Sequence, residues 1–159
     1  MGVGFGFAIA AQHLFPKKKV IMVVGDSAFG FSGMELETAS RYRLPLKCII
    51  INNNGIGTGI DEITPEESNP KDIAPTSLSP IAQYEKVSHA FGGKGQEVKT
   101  HDELAKVLPE LLNDDNMWVL NVRIDPFSGK KPQKFTWLST DAEVNTKSGG
   151  DKDDNKAKL

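Results

Sequence analysis

Net charge, cysteine and long apolar runs are all scarce in this sequence of 159 residues, and each scarcity excludes something. Lys and Arg number 19 against 21 Asp and Glu, a formal charge of −2. No electrostatic pull toward nucleic acid or a membrane surface is therefore expected. The single cysteine, Cys48, has no partner for an internal disulfide. Lying in an apolar stretch, it reads as a packing residue, because free Cys is among the most buried types. No apolar run approaches membrane-spanning length, and the first residues do not read as a secretory signal. Aromatic residues stop before Ser139, and Gly, Asp, Lys and Asn dominate beyond it. Residues 139–159 are expected to be a disordered tail. The remainder carries enough apolar content for one domain with a real core.

The chain is organised around two short polar stretches. Val20 to Val24 is an apolar, β-branched run that reads as a buried strand, and Gly25-Asp26-Ser27-Ala28 follows it. Ser32 and Glu35 have capping-box spacing and predict a helix start, with Met34, Ala39 and Tyr42 along one side and Pro45 as its limit. Leu46 to Ile51 is a second apolar run, and Asn52-Asn53-Asn54-Gly55 follows that. Strand, polar loop, helix, strand makes a βαβ unit whose strands should be parallel. Asp26 and Asn53 then lie just past the carboxyl ends of neighbouring strands, where open α/β sheets bind ligands. One anionic and one neutral oxygen ligand suit Mg²⁺, which takes few protein ligands and completes its octahedron with phosphate oxygens and water. Taken singly, each stretch also reads as an ordinary turn. The Gly-rich start, Gly2-Val3-Gly4-Phe5-Gly6, fails as a dinucleotide loop because Phe occupies position 7 and no strand precedes it.

Together, the two stretches resemble the diphosphate-and-metal motif of thiamine-diphosphate enzymes, and the 27 positions from Asp26 to Asn53 suit that motif. Within that group, Gly25 to Thr38, Arg41-Tyr42 and Leu44-Pro45 resemble the 2-hydroxyacyl-CoA lyases and the related oxalyl-CoA decarboxylases. The resemblance runs from Gly2 to about Leu138. It implies a three-layer α/β domain over residues 1–138, an open parallel sheet with helices on both faces. It implies Mg²⁺ held by the Asp26 and Asn53 side chains and the Gly55 carbonyl, and a diphosphate held by Gly25, Ser27 and Ala28. Met1-Gly2 matches the end of a segment whose Met supports the bent cofactor. On that likeness the chain begins inside a catalytic domain, without its first strand or the pyrimidine-binding domain that supplies the activating glutamate. No catalytic residue is assigned here. The implied reaction cleaves 2-hydroxyacyl-CoA to formyl-CoA and a shortened aldehyde, in a homo-oligomeric full-length enzyme. Oxalyl-CoA decarboxylation and a non-catalytic metal- and diphosphate-binding fragment are the alternatives.

The remaining segments carry weaker signals. Gly4 to Phe15 reads as a helix of small residues, stopped by Pro16, whose glycines mark a close backbone approach. Lys17-Lys18-Lys19 reads as a solvated turn. Gly57 stands where the resembled family carries Tyr near substrate, which leaves the loop more flexible. Asp61 to Leu78, rich in Pro, Ser, Thr and acids, reads as a long surface loop of the kind that covers a site. Ser79-Pro80 predicts the next helix start, with Ile81, Tyr84, Val87 and Phe91 as its apolar stripe. His89 reads as a packed or exposed helix residue rather than a catalyst. Gln96 to Val98 is a short strand. Thr100 and Glu103 form a capping box for a helix that Pro109 should kink or divide. Met117 to Ile124 is the last strand. Asp125 to Leu138 resembles the carboxyl-terminal tail of the 2-hydroxyacyl-CoA lyases more than that of the decarboxylases. That resemblance implies Lys130, Lys131 and Lys134 at CoA phosphates, with Phe135 and Trp137 packed over the site. A surface tail pinned by those aromatics reads equally well. Ala157-Lys158-Leu159 is the small–basic–leucine form of a peroxisomal address, read by an import receptor.

Overall fold

The computed structural model describes residues 1–57 and 69–126. The elements run α1 (Gly4–Leu14), β1 (Ile21–Gly25), α2 (Asp26–Ser32), a 3-10 turn (Gly33–Glu35), α3 (Leu36–Arg41) and β2 (Lys47–Asn52). They continue with α4 (Glu85–Ala90), β3 (Lys94–Val98), α5 (His101–Asn113) and β4 (Trp118–Arg123). The four strands form one sheet in the order β1-β2-β4-β3, and every pairing is parallel.

Both faces of the central strands β2 and β4 are covered, which is why they read as continuous apolar runs rather than alternating ones. On one face, Met22, Cys48, Ile50 and Val119 pack against Phe5 and Ala8 of α1, Phe29 of α2 and Leu36 and Ala39 of α3. On the other, Val98, Trp118 and Leu120 pack against Val107 and Leu111 of α5. The expected three-layer arrangement is present. Cys48 is fully buried, and burial pushes its thiol pKa up, so it serves packing as expected.

Several boundaries differ from the sequence expectations, each for a tertiary reason. The helix after β1 begins at Asp26, with no intervening polar loop, and the Ser32–Glu35 capping box is absent. The Ser32 hydroxyl instead donates to the Gly2 carbonyl at 2.7 Å, which ties the start of the chain to the end of α2. Leu36 and Ala39 form the buried side of α3, whereas Met34 and Tyr42 are exposed. Ser79-Pro80 forms a turn rather than a helix start. The Pro80 carbonyl accepts from the Arg123 guanidinium at 2.9 Å, and α4 opens at Glu85, leaving Ile81 exposed. Tyr84, Val87 and Phe91 do pack on the first core.

The Thr100 capping box is formed, with the Glu103 amide donating to the Thr100 hydroxyl and the Glu103 side chain accepting from the Thr100 amide. Pro109 does not divide α5. It removes one helical hydrogen bond, but Val107 and Leu111 anchor the turns on both sides of it in the same core. Of the glycines in α1, only Gly4 faces a close approach. A Cβ there would meet Met22 Sδ at 3.1 Å and Val24 Cγ1 at 3.2 Å, whereas one on Gly6 would meet nothing. Among the three lysines after α1, Lys19 is not merely solvated, because its ammonium donates to the Leu112 carbonyl near the end of α5.

Candidate functional site

Two chain segments leave the sheet side by side. Gly25 pairs with Ile51 in the β1–β2 register, so Asp26 and Asn53 emerge at the carboxyl ends of adjacent parallel strands. Asp26, Ser27 and Ala28 form the first turn of α2, and Gly25 precedes it in extended conformation with φ −76° and ψ 161°. Met1 reaches the same place. Its sulfur accepts from the Ser27 hydroxyl at 3.7 Å, because Ser32 holds the Gly2 carbonyl close to α2.

The second segment is a tight polar turn. Asn53 Oδ1 accepts from the Gly55 amide at 3.2 Å, and its Nδ2 donates to the Gly57 carbonyl at 3.2 Å. Gly57 has φ +77°, a conformation that disfavours a side chain, so a Tyr at this position would be strained in the observed turn. The end of the long loop lies along this turn. Ile56 donates to the Thr76 carbonyl and Leu78 to the Asn54 carbonyl, each at 2.9 Å, and Gly55 and Ser77 form an antiparallel bridge. Residues 61–68 of that loop fall outside the described residues, as do 58–60 before it, Lys130, Lys131, Lys134, Phe135, Trp137 and the tail with Ala157-Lys158-Leu159.

Asp26 is the charged group at the centre. It is 2% exposed, and its Oδ1 accepts from the Ser27 amide at 2.8 Å. Its Oδ2 has no hydrogen-bond partner. Burial raises its pKa above the ordinary 3.8, opposed by the Ser27 amide and then by the nearby amides of Asn54, Gly55 and Asn53. None of those last three amides completes a hydrogen bond to Oδ2. Among the described residues, five buried side-chain polar atoms lack a partner, and three of them belong to this site: Asp26 Oδ2, Asn54 Oδ1 and Ser77 Oγ. Buried polar atoms are normally satisfied, so a buried carboxylate oxygen left unpaired at a strand end points to an external ligand.

Sequence reasoning missed Tyr84 as a neighbour of the site. Helical periodicity placed it in a core stripe, and its ring does pack edge-on against Phe29 at 5.6 Å. Yet its pKa is raised by burial and then by the negative charge of Asp26, with Arg123 opposing, so it lies within electrostatic reach of the carboxylate. His89 is exposed, with one ring nitrogen 3.2 Å from the Gly95 carbonyl, and takes no part.

Comparison with known proteins identifies the family and the fold. The family described as thiamine pyrophosphate enzyme, C-terminal TPP binding domain, matches residues 1–122. 2-Hydroxyacyl-CoA lyase 1 of Mus musculus is 46% identical over 149 residues, covering 87% of this chain and 26% of that protein. 2-Hydroxyacyl-CoA lyase of Arabidopsis thaliana is 50% identical over 132 residues, covering 81% of this chain and 23% of the relative. Oxalyl-CoA decarboxylase of Escherichia coli is 41% identical over 141 residues, covering 87% and 24%. A solved thiamine diphosphate-dependent 4-hydroxybenzoylformate decarboxylase from Rhodococcus jostii shares the fold at a TM-score of 0.60. It is 23% identical and covers 79% of this chain and 23% of that one. The chain thus spans about a quarter of the length of the curated relatives it matches. With its parallel sheet, its paired strand ends and this match over most of its length, the chain belongs to the thiamine pyrophosphate enzymes, as a C-terminal TPP-binding domain.

Proposed function

We propose that this domain is the cofactor-holding part of a 2-hydroxyacyl-CoA lyase that uses thiamine diphosphate and Mg²⁺. The observation that carries the reading is Asp26 Oδ2, a buried carboxylate oxygen without a partner at the mouth of two parallel strands. An ionised carboxylate oxygen buried in that state is costly, and a bound cation offsets the cost. No three His, Cys, Asp or Glu side chains are gathered at any point among the described residues. The donors at hand are one carboxylate, one side-chain amide and a backbone carbonyl, a hard oxygen set suited to Mg²⁺.

In this reading Asp26, Asn53 and the Gly55 carbonyl hold the cation. Gly25, Ser27 and Ala28 hold the diphosphate, and Met1 lies against the cofactor beside Ser27. Thiamine diphosphate supplies an electron sink for cleaving the carbon–carbon bond. The residues of this chain supply binding and orientation. Burial raises the Asp26 pKa, and a bound cation would favour its ionised form. The first turn of α2 holds its side chain at the strand end. The full-length protein would act as a homo-oligomer that brings a pyrimidine-binding domain against this one. Its substrate would be a 2-hydroxyacyl-CoA thioester, cleaved to formyl-CoA and an aldehyde one carbon shorter.

The higher identity to the named lyases supports this substrate over oxalyl-CoA. The full-length protein with thiamine diphosphate and Mg²⁺ is expected to release formyl-CoA from 2-hydroxyacyl-CoA in preference to oxalyl-CoA. Faster turnover of oxalyl-CoA overturns the lyase assignment in favour of the decarboxylase. The proposed location is the peroxisome, on the strength of Ala157-Lys158-Leu159. Residues 150–159 appended to a fluorescent reporter are expected to send it to peroxisomes, and a block placed after Leu159 to leave it cytosolic. A diffuse signal from the unblocked fusion refutes the address.

A further inference from the structure

Behind the polar turn lies a line of side chains that the cofactor reading does not use. Asn121 of β4, Asn52 at the end of β2 and Glu85 at the start of α4 are all buried. Asn121 Nδ2 donates to Glu85 Oε2 at 3.1 Å, and Asn52 Nδ2 donates to Asn121 Oδ1 at 3.1 Å. Asn52 Oδ1 then accepts from the Asn54 amide at 3.0 Å. These partners are separated by 36 and 69 positions in sequence, apart from the last step.

The chemistry of the two ends sets the direction of the whole line. A carboxylate only accepts, so Asn121 must turn its NH₂ toward Glu85 and its oxygen toward Asn52. A backbone amide only donates, so Asn52 must turn its oxygen toward Asn54 and its NH₂ toward Asn121. Both requirements are met at once, and neither Asn leaves a buried side-chain polar atom unpaired. A network satisfied throughout in a buried setting is rigid. It ends on Asn54, which sits at φ +60°, a left-handed conformation uncommon outside Gly though better tolerated by Asn than by most residues. Asn54 lies between Asn53 and Gly55, so whatever fixes its amide fixes the oxygens on both sides.

We propose that Glu85, Asn121 and Asn52 are positioning residues that hold the Asn54 amide and so set the Asn53 and Gly55 oxygens for the cation. This rests on the Mg²⁺ reading above. Glu85 acts through its reach to Asn121 and not through its charge. Partners behind metal ligands typically change metal affinity by about 10–100-fold when removed.

The test is Mg²⁺ titration of the full-length protein in the presence of thiamine diphosphate, with hydrogen exchange followed across residues 52–57. Glu85→Gln keeps an acceptor at the same reach and is expected to bind Mg²⁺ within about twofold of wild type, with exchange unchanged. Glu85→Asp keeps the charge but withdraws it by one methylene, and Glu85→Leu removes the acceptor. Both are expected to bind Mg²⁺ about tenfold more weakly and to exchange faster at residues 52–57. The Gln–Asp pair carries the test alone if the Leu variant does not fold. Wild-type affinity in a folded Asp variant, or tighter binding by Asp than by Gln, overturns the proposal. A wild-type protein that binds no Mg²⁺ overturns the metal reading, and the positioning role with it.

Discussion

Asp26→Ala is expected to lower the Mg²⁺-dependent affinity for thiamine diphosphate by more than about a hundredfold, beyond the loss typical of a partner behind a ligand. Asp26 is the acidic donor in the proposed shell. Asn53 and the Gly55 carbonyl are neutral, and neither replaces its charge. The fold should survive, because Asp26 contributes one hydrogen bond, to the Ser27 amide, and leaves its other oxygen unpaired. Titration of thiamine diphosphate at fixed Mg²⁺, beside a thermal melt of the metal-free protein, separates the two effects. Unchanged affinity in the variant removes Asp26 from the metal site.

The same carboxylate has a pH signature. Its folded pKa is raised by burial, so the native state binds a proton more readily than the unfolded chain, whose Asp titrates near 3.8. Without metal, this contribution to stability is fully present below 3.8 and is lost as pH rises through the raised folded value. Mg²⁺ binding has the opposite slope, because the cation needs the ionised form and its affinity rises through the same interval. Asp26→Asn should flatten the metal-free slope attributable to this group.

Purified residues 1–159 are expected to cleave no 2-hydroxyacyl-CoA and to self-associate. Activity should return when the chain is joined to the further domains that its proposed role requires. Two physical reasons support this. None of the residues described is assigned to proton transfer with the cofactor, and general acid–base assistance is typically worth about 10²–10⁴ in rate. The fold also presents unprotected apolar surface. Phe7 and Leu14 on α1 and Phe31 on α2 are 74%, 74% and 67% exposed, and Val23 is 61% exposed on β1, which lies at the edge of the sheet. Exposed edges and apolar patches recruit partners or aggregate. Size-exclusion chromatography with a formyl-CoA assay reads both outcomes. Cleavage by a monodisperse 1–159 chain shows that these residues are sufficient on their own.

What was legible in the sequence was what short-range pattern carries. The apolar runs before Gly25 and Asn52, with a helix between them, dictate a βαβ unit. A βαβ unit puts Asp26 and Asn53 at the same edge of the sheet. The β1–β2 pairing then makes their strand ends neighbours, which those of β2 and β3 are not. The Thr100 capping box was equally local, since both its bonds close within four residues. The Ser32–Glu35 pair has the same spacing yet forms no box, because the Ser32 hydroxyl finds a carbonyl 30 positions away. Local signals hold only where no distant partner competes. Tertiary structure alone decided that Asp26 is buried with one oxygen unpaired, that Tyr84 stands near it, and that Glu85 supports the turn from α4 through two Asn side chains. Those facts depend on which strands become neighbours across 36 and 69 positions and on which side of the sheet each residue faces. Neither periodicity nor motif spacing contains that information, because the burial that makes an unpaired oxygen costly is a property of the assembled layers.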